Sequence, residues 1–199
     1  MAGDETPSAV EDLALGAFRM VKSRLGFELD FSPETLPVLD HALAELRAED
    51  EGRPSEKTVS VVAPCAGAYF GEVARRSLPG LRWHVPADDY RRWRLEGEAV
   101  FLCFNPIGVA LEALFRAPVG GWNAHFTLLP AQRAAVKSAL EAAGAVREDD
   151  YYRLAVRHET LEQALSVLAG LAAGDEATRP LGPDVYASVV DGDAADVEA

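Results

Sequence analysis

The chain of 199 residues carries few of the features that announce a function. Two cysteines, Cys65 and Cys103, stand far apart in apolar surroundings, which suits reduced thiols better than the disulfide framework of a small secreted domain. From the residues alone a bridge between the two stays open. Apolar runs last only a few residues, well short of the roughly 20 needed to cross a bilayer. Lysine is scarce too, with only Lys22, Lys57 and Lys137. A formal charge of −13, from 32 acids against 19 Lys and Arg, argues against general nucleic-acid binding, which needs an excess of cations on the contact face. Residues 1–5 show no basic region leading into an apolar block, so no secretory signal is read and a cytoplasmic location is expected. No Gly-x-Ser-x-Gly elbow, phosphate-binding loop or closely spaced metal-ligand pair occurs. No cofactor is therefore expected.

What the chain does have is a stretch of small residues, APCAGAYFGEVARR, over 63–76. Ala63, Gly67, Gly71 and Ala74 fall at i, i+4, i+8 and i+11 and form one flat helical stripe against which another backbone can come close. The helix is read as starting near Ser55 and bending at Pro64, with a β-branched strand over 58–62 as the competing reading. Two helices precede it. The first is capped by Thr6 with Pro7 at its first position and ends at Gly26; the second opens at Ser32 and Pro33, with a start that can slip because of Pro37.

Beyond Pro79 and Gly80 the pattern turns extended at 81–85, 91–95 and 100–104, a three-stranded antiparallel meander. Asn105 and Pro106 then open a short helix. The last third reads as strand 125–129, helix 130–143, strand 151–157 and a helix from 160 to 173 begun by a Thr160–Gln163 capping box. The expected architecture is α+β: N-terminal helices packed on a mainly antiparallel sheet, followed by a β-α-β-α part. Residues 1–174 form one domain, with 118–124 as the point where it would subdivide. Residues 175–199 form an acidic, partly disordered tail with one extended segment at 185–190. That tail holds seven acids against one arginine.

Four residues are singled out as ligand-binding: Glu72, Trp122, Asn123 and His125. Glu72 is the one carboxylate of the small-residue helix; its structural alternative is a pair with Arg76 at i, i+4. Trp122, Asn123 and His125 flank flexible glycines, where a loop serves either a ligand or merely the sheet. Arg82, Arg92 and Arg94, interleaved with Trp83, Tyr90 and Trp93, resemble an anion-binding or single-stranded nucleic-acid surface in miniature. The alternative is that these arginines pair with the protein's own acids. A metal site would need His84, Asp88, Asp89 and His125 to converge, and none is expected.

GAYFGEVARR, then Gly80, Arg82 and Trp83, then FNPIGVALEAL resembles a group of uncharacterised bacterial domains in which a Gly-Ala-Tyr-x-Gly-Glu-Val helix precedes a Trp-bearing strand and a Pro-led helix. The likeness covers about residues 30–117 and implies a small α/β domain with an accessory or interaction role. The leading functional expectation is a non-catalytic protein acting through protein–protein contact, as an immunity-like or regulatory factor toward a basic partner. The alternative is a small-molecule site or enzyme around Glu72, Trp122 and His125.

Overall fold

The computed structural model describes residues 5–86, 89–173 and 181–191. Helix α1 spans Ser8–Leu25, α2 Leu36–Glu49 and α3 Glu56–Ser77. Strands β1 (Leu81–His84), β2 (Arg94–Gly97) and β3 (Leu102–Phe104) follow, then α4 (Pro106–Phe115), β4 (Thr127–Leu128), α5 (Pro130–Ala142), α6 (Glu148–Tyr151), α7 (Leu154–Ala172) and α8 (Pro183–Tyr186). The four strands form one antiparallel sheet in the order β1-β2-β3-β4, so the fold is α+β. No helix among the described residues is long and apolar enough to cross a membrane.

Helix α3 is the central element. Ser55 caps it, its side chain accepting from the Thr58 amide, and the helix runs unbroken through Pro64. The carbonyl that Pro64 leaves without a helical partner belongs to Ser60, which is exposed and so can be hydrated. Residues 58–62 are accordingly helical, as read from sequence. α1 packs on one side of α3 and α4 on the other. Gly67 and Gly71 of the stripe face the start of α4, and Gly71 also faces β1. A Cβ on Gly67 would collide with the Ile107 Cα and lie 2.8 Å from the Ile107 nitrogen; one on Gly71 would strike the Trp83 ring and lie 3.1 Å from the Pro106 ring. The small residues thus let the start of α4 rest directly on α3.

Several local expectations are corrected. Thr6 does not cap α1, whose N-cap is Pro7 with no side-chain bond; Thr6 donates to Glu72 instead. β2 begins at Arg94 because residues 90–92 form a 3-10 turn, with the Asp89 side chain accepting from Arg91 N. Residues 151–157 are not a strand. α6 ends at Tyr151 and α7 begins at Leu154, where the Asp40 carboxylate of α2 accepts from the amides of Leu154 and Ala155 at 2.7 and 3.1 Å. This cap, supplied from 114 residues away, outweighs the extended propensity of the Tyr and Val residues. Thr160 therefore lies inside α7, its hydroxyl donating to Val156 O, and makes no capping box. The strand expected at 125–129 shrinks to Thr127–Leu128, so the C-terminal part is helical with one short edge strand, not β-α-β-α. Residues 185–190 are helical too, in α8 and a following π-helical turn. The expected disorder of the tail concerns residues that lie mostly outside the described ones.

Candidate functional site

Glu72 is fully buried, at 0% exposure. Thr6 Oγ1 (2.9 Å), Arg75 Nε (2.8 Å), Arg76 Nε (3.0 Å) and Trp83 Nε1 (2.8 Å) all donate to it. A carboxylate offers about four acceptor positions, and all are taken. Burial pushes its pKa up, but the bonds from Arg75, Trp83 and Thr6 outweigh this and hold it below the usual carboxylate range. Glu72 is a clamp joining the segment that leads into α1 to α3 and β1, with no capacity left for a ligand.

Two of the three arginines of the predicted anion-binding surface are likewise committed. Arg82 donates through Nε and Nη2 to Glu96 Oε2 at 3.1 and 2.9 Å, and Arg94 Nε donates to Glu96 Oε1 at 2.8 Å. Arg92 lies exposed on the 3-10 turn. Trp93 is buried and Trp83 is held by Glu72, so neither offers a face for a stacked base. His84 lies 4.0 Å from the same Glu96, and His125 is on another part of the molecule; Asp88 lies outside the described residues. Among the described residues no His, Cys, Asp or Glu group is arranged to hold a metal. Cys65 and Cys103 are reduced thiols.

Trp122 and Asn123 fasten the loop before β4. The Trp122 carbonyl lies over Gly108, where a Cβ would approach it to 2.6 Å, and Arg91 stands 5.5 Å from the Trp122 ring. Asn123 adopts a left-handed φ of 46° and its carbonyl accepts from Asn105 N at 2.8 Å. Both residues position α4; neither joins Glu72.

His125 lines a cleft among the described residues. A cleft of about 730 Å³ opens between β4 and α5 on one side and α6 and α7 on the other. Phe126, Leu128, Val136, Leu140, Val146 and Val156 supply apolar lining, and His125, Arg133, Tyr151 and Arg157 supply polar groups. His125 Nδ1 and the Tyr151 hydroxyl are 3.2 Å apart, with the rings stacked at 25°. Behind them lies Glu112 of α4, 2% exposed, with His125 Nε2 at 3.5 Å and Arg157 Nη2 at 3.3 Å. The Arg157 contact is at ion-pair distance, yet Glu112 Oε2 accepts no hydrogen bond; Arg157 Nη2 donates instead to Ala124 O at 2.8 Å. Arg157 also lies 4.8 Å from the Tyr151 ring. Arg133 donates Nε to Leu128 O and makes no ion pair among the described residues.

Sequence reasoning passed over Glu112, Tyr151 and Arg157. One signal was available for Glu112: it is the sole charge in the apolar run 106–115. Arg157 was read into a strand, on which its approach to Glu112 has no basis.

No family model, curated protein or solved structure matches the chain.

A buried imidazole lies on α7. His158 Nε2 and Ser77 Oγ are 2.7 Å apart, and Ser77 donates to Val73 O. Burial holds the His158 pKa below its ordinary value. This pair does not line the cleft and ties α7 to the end of α3.

Proposed function

We propose that the protein binds a small amphipathic molecule with one acidic head group in the cleft between α5 and α7. The observation that carries this reading is the cleft itself. Its volume of about 730 Å³ falls in the range of small-molecule pockets, about 300–1,000 Å³, and its apolar walls meet Arg133, His125 and Tyr151. Of the lining charges, Glu141 stands 3.8 Å from Lys137, and Arg157 is at ion-pair distance from Glu112 behind the wall. Glu159 on the α7 wall has no such partner among the described residues, so the cleft is near neutral as a whole. Selectivity for an acidic head then comes from the individual cationic and donor groups of the lining, Arg133 first, not from a general field. Leu140 and Val136 would hold the apolar part. We rank this above a role toward a basic partner, which rests on net charge and on no particular surface.

Fluorescence titration with 8-anilino-1-naphthalenesulfonate, an apolar anion, tests the proposal. Saturable one-to-one binding is expected, displaced by decanoate. Leu140→Asp should abolish both, whereas Arg133→Ala should weaken decanoate about tenfold, the loss of one charge-assisted contact of ~1.4 kcal/mol, and leave decanol unaffected. Unsaturable binding, or binding indifferent to Leu140→Asp, would refute it.

A further inference from the structure

The sheet has two faces with different coverings. Leu81, Leu95, Leu102 and Phe104 turn toward the main core. Strand alternation sends Arg82, Glu96, Cys103 and Thr127, which are cross-strand neighbours in register, to the other face. Residues 181–191 cover that face. Phe101, Cys103 and Tyr186 form a small apolar cluster of their own, separate from the core, with Leu181, Val189 and Val190 packed on it.

Tyr186 is the anchor. It is 0% exposed and stacks on Phe101 with centroids 4.6 Å apart and planes at 11°. Its hydroxyl donates to Gly97 O at 2.7 Å, lies 3.2 Å from Val100 O, and accepts from Leu102 N at 3.3 Å. Leu181 adds a backbone pair of contacts, donating to Glu98 O at 2.7 Å and accepting from Arg82 Nη1 at 2.6 Å. The turn between β2 and β3 is thus a socket shaped for one aromatic side chain with a hydroxyl at its tip, plus a backbone register point five residues before it.

We infer that this outer sheet face is a docking surface for the segment 181–191, and that it accepts the segment from a second copy of the chain as well as from its own. Three features support exchange. The contacts described belong to the segment as a unit, its apolar cluster is not continuous with the core, and residues 174–180 join it to α7. Seven residues extend to at most about 25 Å, which sets the reach of the segment away from α7. Exchange of an identical element between copies creates no new contact type, so its equilibrium is set by the tether's effective concentration against the chain concentration.

The full chain carrying Tyr186→Ala leaves the socket vacant. A fluorescein-labelled synthetic peptide of residues 181–190, LGPDVYASVV, should bind this variant at least tenfold more tightly than it binds the wild-type chain, whose own segment competes. The same peptide carrying Tyr186→Ala should not bind. A folded Tyr186→Ala chain that takes up no peptide would overturn the inference. If that variant fails to fold, amide hydrogen exchange of the wild-type chain decides. Exchange at Leu102 and Leu181 through an opening that leaves the α3 amides protected is expected; exchange at both only with global unfolding would overturn it.

Discussion

Replacing Gly67 by alanine sets two effects of opposite sign against each other. In a helix interior, alanine is favoured over glycine by about 1 kcal/mol. Gly67 lies well inside α3, so propensity alone predicts a gain. Its added methyl, however, would overlap the Ile107 Cα and lie 2.8 Å from the Ile107 nitrogen and 2.9 Å from Cγ1. Carbon contacts are normally about 3.5–4.0 Å, so α3 and α4 must separate by roughly 1 Å. Ile107 cannot yield by rotating a side chain, because its amide donates to the Asn105 cap at 2.8 Å and its backbone is the first turn of α4. Overpacking costs about 1–3 kcal/mol, and an obstruction by backbone belongs at the upper end of that range. The net expectation for Gly67→Ala is a loss of about 2 kcal/mol, which lowers Tm by ~4–8 °C in a chain of this size. Gly170 is the internal control. It lies in α7 with nothing within 4 Å of the added Cβ, so Gly170→Ala should raise Tm by ~2–4 °C, the propensity gain of about 1 kcal/mol undiminished. Differential scanning calorimetry on the two variants and the wild type gives the answer. Gly67→Ala melting at or above the wild type would refute the close approach of α3 and α4.

Glu72→Gln should lower stability by about 3 kcal/mol in urea titrations, because Arg75 loses its buried counter-charge while Arg76, half-exposed, is rehydrated. Asp40→Ala should cost about 1–2 kcal/mol by uncapping Leu154 and Ala155, whereas Asp40→Asn keeps one of the two acceptor oxygens and should restore part of it; equal losses in both would argue against the cap. Two groups set opposite pH trends. His158 has a folded pKa below its unfolded value near 6.5, so the stability it contributes is complete above that value and lost as pH falls through the folded one. His158→Gln should therefore flatten the Cm-against-pH curve just below pH 6.5. Asp40, raised chiefly by burial, contributes stability below its unfolded value near 3.8 that is lost as pH rises through its folded one. Cm of the Asp40→Asn variant should accordingly gain on the wild type as pH rises from 3.8; a constant difference would show that burial does not shift this carboxyl.

Sequence alone determined the elements whose signals are local. Gly26 ends α1, Ser55 caps α3, and Asn105 with Pro106 starts α4, because each acts on backbone groups within a few residues of itself. The small-residue stripe was legible for the same reason: helical spacing places Gly67 and Gly71 on one face whatever packs there, though not that the partners are Ile107 and Trp83. Glu72 beside Arg76 was legible as an i, i+4 pair, but its saturation by Thr6 and Trp83, from 66 and 11 residues away, was not. Tertiary structure decided the rest. The start of α7 depends on Asp40, and the polar end of the cleft depends on Glu112, His125, Tyr151 and Arg157 meeting from α4, the loop before β4, α6 and α7. Residues 185–190, read as extended, are helical with Tyr186 in a socket made by the β2–β3 turn, which no window of neighbouring residues contains. A local pattern records what the chain offers to its own backbone. Which carboxylate meets which guanidinium, and which ring fills which socket, is set by burial shared among distant segments.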